Sequence, residues 1–251
     1  MKIPANGFTH AGKFHADDVF ATALLQILRP DIKITRGFVV PDDFDGIVYD
    51  IGFGMFDHHQ EPRETRPNGI PYAAFGLLWQ VLGPGLVGER QARLIDENFI
   101  QPLDLNDNTG EQNSLCDAIG FFNPVWDSKE DQDACFFKAV AVAKQILENQ
   151  IESANAVNRA DEKVQQRRDT ADRLAREFKA DGIIYEQMKY CDYWGFERAL
   201  VSYIMHEEYN WPVLSIDRLY NNGNSGQLRT RVQAFVESLE IKRIQKNGGT
   251  K

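Results

Sequence analysis

The first half of the chain alternates short apolar runs with polar segments, a pattern that predicts a sheet flanked by helices. Residues 3–9 form a short, partly apolar run that predicts a first strand. Apolar residues recur at helical spacing over 19–27, and the pair at 29–30, Arg-Pro, predicts the end of that helix. Further strands are predicted at 32–40 and 46–51. This order predicts an α/β fold with a parallel core, in which ligands gather at the carboxyl ends of the strands.

Helical patterns then dominate the middle of the chain. Residues 72–82 are apolar and rich in small side chains, which predicts a buried helix, and 89–100 are amphipathic, which predicts a second. From 130 to about 179 the chain carries charges of both signs, has frequent alanine and lacks Pro and Gly. This composition predicts a long solvated helix that links two lobes.

The pattern of apolar and polar residues changes in the last segment of the chain and predicts a small α+β lobe there. Strands are expected at 183–185, 199–205 and 212–220, followed by a turn at 221–226 and a returning strand at 227–232. The expected organisation is a catalytic domain over 1–127, a helical linker over 128–180 and a substrate-binding lobe over 181–251.

Composition limits the classes of protein and partner. The 251 residues carry a net charge of −9, which argues against a broad basic surface for duplex nucleic acid. The three cysteines, Cys116, Cys135 and Cys191, form neither a CxxC pair nor a disulfide framework, so reduced thiols and a cytoplasmic location are expected. Residues 1–4 lack a signal core, and the longest apolar stretch, 19–28, is too short to span a bilayer. No membrane association is expected.

Histidine is concentrated where chemistry is expected. Four of the five histidines lie in two short segments: His10, His15, His58 and His59. Taken singly, these segments could be polar turns that hydrogen-bond to themselves. Together, neutral imidazoles and carboxylates suit manganese, iron or zinc, and the segments predict a metal site.

Asp50 lies at the carboxyl end of a predicted apolar strand between the two histidine segments. It could cap a helix instead, but a carboxylate there could also bridge two cations, the arrangement that activates water in phosphoryl hydrolysis. The zinc peptidase pattern His-Glu-x-x-His, a Ser nucleophile elbow and a P-loop are all absent from the sequence. Asp104 and Asp107, three residues apart, add two more acids that share one side if the helix continues that far.

These motifs resemble a known family. The run Asp57-His58-His59 after a strand-end acid is similar to the DHH phosphoesterase superfamily. Within that superfamily, five segments resemble the melanocyte-proliferating-gene (Myg-type) family: 9–17, 49–50, 57–60, 72–79 and 122–126. The resemblance is strong over residues 8–145 and weaker from 182 to 232. It implies a DHH-type first lobe, a linker helix and a small second lobe.

The resemblance also implies a set of ligands for two divalent metal ions. His10, His15 and Asp50 would surround one ion, while Asp17, Asp50, His58 and either Asp104 or Asp107 would surround the other. Manganese is the first expectation, with iron, zinc or magnesium as alternatives. His15 stands where an aspartate is usual, which could shift the preference toward iron or zinc. Thr109 interrupts the family pattern after the later acids, so the choice between Asp104 and Asp107 stays open.

Catalytic and substrate-binding roles follow from the same resemblance. His58 and His59 would act at the reacting phosphate, and Asp57 would orient the two imidazoles. Lys13, Arg63 and Arg66 lie near the motifs and could contact a phosphate. In the second lobe, basic candidates for holding substrate phosphates are Arg218, Arg229, Arg231, Lys242 and Arg243. The family continues into a His- and Gly-rich closing segment, whereas this chain ends at 246–251 without one.

The leading interpretation is a metal-dependent phosphoesterase, specifically a 3′-to-5′ exonuclease on short or single-stranded RNA. A small phosphorylated metabolite or a dinucleotide is the alternative substrate. A metal-binding scaffold without catalysis is the alternative class of function. The helix predicted at 130–179 could also serve as a homo-oligomer contact.

Overall fold

The computed structural model of this chain describes residues 1–189, 192–218 and 225–248. The chain divides into two compact units, Met1–Asn158 and Arg159–Lys251, and each is described by itself. Among the helices of the described ranges, none combines the length and the apolar character needed to cross a membrane.

The first unit is built on a three-stranded parallel sheet. Its strands are β1 (Asn6–His10), β2 (Lys33–Gly37) and β3 (Ile47–Val48), in the order β2-β1-β3. β1 is central and pairs in parallel with both neighbours, as the sequence predicts. β2 and β3 are shorter than the predicted strands. Because β1 and β3 are adjacent and parallel, the segments that follow them emerge side by side.

Helix α1 (Ala16–Leu28) connects β1 to β2 and is unusually buried. Every residue from Ala16 to Leu25 is buried, including two acids of the first turn, Asp17 and Asp18. A helix enclosed on all sides normally carries an apolar sequence on every face, and after its first turn α1 is apolar except for Thr22 and Gln26. The two buried carboxylates are therefore the exception that requires a physical reason.

Helix α2 (Ala74–Ile95) joins the two helices predicted at 72–82 and 89–100 into one kinked helix. Gly88 has φ of 77°, a left-handed conformation that glycine adopts without steric cost, and it produces the kink. A π-helical turn (Asp96–Ile100) leads into α3 (Gln101–Thr109), which ends at Gly110 with φ of 74°. A short helix not predicted from the sequence, α4 (Ser114–Gly120), begins after the N-cap side chain of Asn113.

Helix α5 (Gln132–Glu177) confirms the long helix predicted at 130–179. Its first half is not solvated, however, because an apolar stripe at helical spacing packs into the core of the first unit. That stripe consists of Phe136, Ala139, Val140, Ala143 and Leu147. The division between the compact units consequently falls inside α5, at Asn158, rather than at residues 127 and 180.

The described residues of the second unit form two parallel strands and two helices besides the end of α5. Strand β4 (Ile183–Met188) is followed by α6 (Asp192–Glu207), β5 (Val213–Arg218) and α7 (Ser225–Gly248). β4 and β5 pair in parallel, which requires a crossover, and α6 provides it.

Two predictions for this unit were wrong. The strand predicted at 199–205 belongs to α6, and the returning strand predicted at 227–232 belongs to α7. Residues 199–205 are mostly apolar, and a short apolar run does not by itself distinguish a buried strand from a helical segment. Residues 227–232 are mixed in polarity and too few for their periodicity to distinguish strand from helix. Most of the turn predicted at 221–226 lies outside the described residues.

Candidate metal centre

The carboxyl ends of β1 and β3 bring the predicted ligands together. β1 ends at His10, and Asp50 lies two residues beyond β3. A bridge between Tyr49 and Phe56 closes the next loop, so His58 returns to the same edge of the sheet. His58 Nε2 lies 3.0 Å from Asp50 Oδ1, and His10 Nε2 lies 3.1 Å from Asp50 Oδ2. The two oxygens of one buried carboxylate thus face imidazoles from different segments.

The first cluster is formed by His10, Asp18 and Asp50, whose ligand atoms lie within 4.8 Å of one another. His10 Nδ1 lies 3.0 Å from the carbonyl oxygen of Ala11, which favours a proton on Nδ1. A neutral His10 then presents the lone pair of Nε2 toward two carboxylates. Burial lowers the pKa of His10, but hydrogen bonds to Asp18 and Asp50 and the negative charges of these two groups outweigh burial and raise that pKa to about 10. Either a proton or a metal cation must therefore occupy this position.

The second cluster is formed by His15, Asp17 and Asp107, beside His58. His58 Nε2 lies 3.2 Å from Asp107 Oδ2 and 3.9 Å from Asp17 Oδ2. His15 Nδ1 lies 3.6 Å from Asp107 Oδ1. Asp50 Oδ1 faces His58, with which Asp50 and His59 form a third group, and Asp50 Oδ2 faces His10 of the first cluster. Asp50 therefore connects the first cluster with the residue that lies beside the second. Burial raises the pKa of Asp50, but hydrogen bonds from His10 and His58 prevail and lower it to about 2.

Asp17 provides the test of whether a cation fits here. Both of its carboxylate oxygens are buried and have no hydrogen-bond partner in the described part of the chain. Burial, followed by the charges of Asp50, Asp107 and Asp18, raises the pKa of Asp17 well above its ordinary value. A buried carboxylate without a partner is costly unless a cation compensates it. The nitrogen and oxygen donors around Asp17 are those that suit manganese, iron or zinc.

The loop after β3 holds Asp57 and His59 in place. Asp57 is buried, and its Oδ2 accepts a hydrogen bond of 2.7 Å from the backbone N–H of Phe53. Asp57 Oδ1 lies 2.8 Å from His59 Nδ1 and also accepts from the backbone N–H of His59. Asp50 and Phe53 both have left-handed backbone conformations, with φ of 56° and 55°. Such strain in residues other than glycine is concentrated at functional sites.

The structure separates Asp104 from Asp107, although both belong to α3. Asp104 is fully buried away from the clusters, where its Oδ2 accepts from Arg66 Nη2 at 2.7 Å and its Oδ1 accepts from the backbone N–H of Gly76. Burial raises the pKa of Asp104 to about 7 despite the lowering influence of Arg66. Asp107 reaches His15 and His58 instead. The geometry therefore favours Asp107 over Asp104 as the later acid.

Arg66 does not lie where a phosphate could reach it. Its guanidinium is buried, contacts both Asp96 and Asp104, and stacks on Tyr72 with its central carbon 3.9 Å from the ring centroid. Lys13 and Arg63, in contrast, line the same cavity as the metal-site histidines, which has a volume of about 670 Å³. Two of the three basic residues predicted near the motifs therefore face the site.

The basic candidates of the second lobe belong to the second unit. Arg229 is exposed on α7, and Arg231 Nη2 donates to the carbonyl oxygen of Ser215 on β5. Arg218 pairs with Glu186 across the two-stranded sheet. Lys242 is also exposed on α7. These contacts stay within the second unit, and a role in phosphate binding remains a prediction for Arg229 and Arg231.

Two residues of the site were not predicted as functional from the sequence. Asp18 lies with Oδ2 3.2 Å from His10 Nε2, while its Oδ1 accepts from the backbone N–H of His15. Asn108 places its Oδ1 3.4 Å from His58 Nδ1, and its amide nitrogen donates to the carbonyl oxygens of Tyr72 and Asp104. Asp18 carried a signal, since two acids at the start of an otherwise apolar helix are difficult to bury. Asn108 carried none.

Comparison with known proteins supports the resemblance to the Myg family. A MYG1 exonuclease of Bos taurus is 28% identical over a match that covers 58% of this chain and 49% of the relative. The MYG1 exonuclease of Homo sapiens is 27% identical, with 58% and 50% covered. A MYG1 protein of Schizosaccharomyces pombe is 28% identical, with 55% and 54% covered. The chain spans about half the length of the curated relatives it matches.

A second similarity concerns the later part of the chain. The family described as 2-hydroxyglutaryl-CoA dehydratase, D-component, matches residues 120–239. This segment lies beyond the ligand clusters, which are formed by residues between His10 and Asp107. It therefore provides no residue of the metal centre. No solved structure matches the chain.

Proposed function

We propose that this chain is a divalent-metal-dependent phosphoesterase of the DHH type, acting as a 3′-to-5′ exonuclease on short or single-stranded RNA. The observation that carries the proposal is that Asp50 belongs to two imidazole–carboxylate groups, one with His10 and Asp18 and one with His58 and His59. Beside them lies the group of His15, Asp17 and Asp107, in which both buried oxygens of Asp17 lack a hydrogen-bond partner among the described residues. The word exonuclease in the names of the Bos taurus and Homo sapiens relatives supports hydrolysis of a nucleic acid.

Two ions would be held by groups that the fold already places. His10, Asp18 and Asp50 would hold one, and His15, Asp17 and Asp107, with His58 beside them, would hold the other. When bound, such a pair supplies Lewis-acid stabilisation of the phosphoryl oxygens and lowers the pKa of an attacking water. Asn108 would keep His58 oriented through Nδ1.

The remaining polar residues of the cavity would handle the substrate. His59 is 57% exposed, and Asp57 holds its Nδ1. This contact orients the ring and leaves Nε2 to contact the phosphate or to protonate the leaving oxygen. Lys13 and Arg63 line the cavity and would supply positive charge to the phosphate. Asp57 is thus a positioning residue, while His59 touches the substrate.

The net charge of the protein and the volume of the cavity favour a short substrate. A net charge of −9 opposes tight binding of a long polyanion, which normally requires a basic groove. A cavity of about 670 Å³ suits one or two nucleotides, so a dinucleotide or a small phosphorylated metabolite is the second candidate within the same chemistry.

The test is hydrolysis by the full chain after chelation and reconstitution with manganese, cobalt, magnesium or zinc. We expect metal-dependent release of mononucleotides from the 3′ end of a 5′-labelled oligoribonucleotide. Asp50→Asn should abolish this release, while Asp42→Asn, which removes an exposed acid, should not change it. Absence of turnover with every metal, on both oligonucleotide and small phosphoester substrates, would reject the proposal in favour of a metal-binding scaffold.

A further inference from the structure

Two phenylalanines at the metal cavity are exposed to solvent. Phe38 is 78% exposed and Phe53 is 72% exposed, and both line the cavity that contains His10, His58 and His59. A single exposed apolar side chain needs no explanation. Here, however, two exposed aromatic rings border a cavity whose other groups are mostly charged or polar. That arrangement requires an explanation.

The position of Phe38 is set by its neighbours. It directly follows β2, and the backbone N–H of Ala11 donates to the carbonyl oxygen of Gly37. A Cβ atom added at Gly12, which has φ of 89°, would lie 3.4 Å from Cε1 of Phe38. The carbonyl oxygen of Gly12 accepts a hydrogen bond of 2.8 Å from Arg36. The ring of Phe38 therefore lies over the firmly held loop between His10 and His15.

The position of Phe53 requires backbone strain. Its φ of 55° is left-handed, a conformation in which a bulky residue is a genuine outlier and glycine is not. The hydrogen bond from its N–H to Asp57 maintains this conformation. Burial of the ring does not offset the strain, because the ring is exposed. A ligand that covers the ring of Phe53 would bury its apolar surface and so offset the backbone strain.

We propose that Phe38 and Phe53 form a stacking platform for a nucleobase, so that the substrate of the metal centre is a nucleotide rather than a sugar phosphate. This inference rests on the proposed phosphoesterase function and specifies its substrate class. Aromatic side chains stack on any base, because every base has a π face. Lys13 and Arg63 line the same cavity, so a base on the rings leaves basic groups for the attached phosphate.

Equilibrium binding tests the platform without turnover. Titration calorimetry on the manganese-loaded full chain compares AMP with ribose 5-phosphate, which has the same phosphate and sugar but no base. Stacking of one base predicts that AMP binds about 5- to 150-fold more tightly. Equal affinities, or no detectable binding of either ligand, would overturn the inference.

Variants assign the effect to the two rings. Phe38→Ala and Phe53→Gly should each reduce the preference for AMP, and the double variant should abolish it without changing the affinity for ribose 5-phosphate. Phe53→Gly suits the left-handed backbone, so its melting temperature should not fall. Phe38→Tyr keeps a ring and should retain the preference. Val39→Ala and Met55→Ala are matched controls, because both residues are exposed neighbours that do not line the cavity.

The outcomes separate the two proposals. A preference for AMP that depends on the rings, without hydrolysis by any metal form, supports the platform and rejects the phosphoesterase. Metal-dependent hydrolysis together with equal affinities supports the phosphoesterase and rejects the platform. A preference for AMP that survives in the double variant also rejects the platform, because the base would then be recognised elsewhere.

Discussion

Replacement of Asp17 by asparagine should have opposite effects on stability without and with metal. Asp17 is buried in the first turn of α1, and neither carboxylate oxygen has a hydrogen-bond partner among the described residues. Without a cation, the carboxyl group is a liability to the folded state. With a cation nearby, the same group becomes a ligand. The asparagine side chain has nearly the same shape as that of aspartate and no negative charge.

The expected magnitudes follow from these contacts. An unpartnered buried polar group costs about 1–3 kcal/mol, and more if it is charged. Loss of an acid from the first turn of a helix forfeits about 0.3–1 kcal/mol of interaction with the helix dipole. Since asparagine is still polar, we expect the metal-free Asp17→Asn protein to be more stable by roughly 1 kcal/mol. For a domain of this size, the melting temperature should rise by about 2–4 °C.

Manganese should reverse the order of stability of the wild type and Asp17→Asn. When free manganese exceeds its Kd by about 1,000-fold, binding stabilises the native protein by about 4 kcal/mol. If Asp17→Asn weakens binding about 100-fold, the remaining stabilisation is roughly 1.4 kcal/mol. The variant should then melt below the wild type in manganese and above it in chelator.

Thermal unfolding of the full chain, followed by circular dichroism in chelator and in excess manganese, measures both effects. Asp42→Asn, a change of an exposed acid, is the control and should change neither melting temperature. If Asp17→Asn lowers stability in chelator and leaves the manganese-induced shift at its wild-type size, Asp17 is a structural residue and the cation site is elsewhere.

Three further predictions concern the surroundings of the site. Asp107→Asn should weaken manganese binding with little loss of metal-free stability, whereas Asp104→Asn should lower metal-free stability with little effect on manganese binding. Calorimetric titration measures the binding and urea unfolding measures the stability. Equal effects of the two variants on binding would contradict the assignment of Asp107 as the later metal ligand. Arg66→Met should destabilise the chain by about 3–5 kcal/mol in urea, because it leaves the buried Asp104 without its cation, while Arg93→Met on the exposed face of α2 is the control. The third prediction concerns pH: because the pKa of His10 is raised from 6.5 to about 10 in the metal-free fold, its stabilising contribution is complete below pH 6.5 and declines as the pH rises toward 10. Manganese competes with that proton, so the shift in melting temperature on adding metal should grow from about pH 6 to about pH 9, and a constant shift would contradict the role of His10.

Local sequence patterns determined much of the first unit. Helical spacing predicted α1, and frequent alanine without Pro or Gly predicted α5. The order of elements predicted a parallel sheet with His10 and Asp50 at strand ends. These predictions succeed because the periodicity of apolar residues and the direction of parallel strands are local or topological properties. The concentration of histidine in two segments likewise indicated the residues that the fold brings together.

Choices between equivalent residues were decided by tertiary packing alone. Asp104 and Asp107 are about 4.5 Å apart along the axis of α3, and this difference places one against Arg66 and the other against His58. The apolar run at 199–205 was compatible with a strand, but parallel pairing of β4 with β5 requires a crossover between them, and α6 supplies it. The composition and the spacing of residues in the sequence determine which helices and strands form and which residue types they carry. Which partner each side chain meets depends on residues far away in the sequence, since contacts such as those of Arg66 with Asp96 and Asp104 form only when the chain is folded.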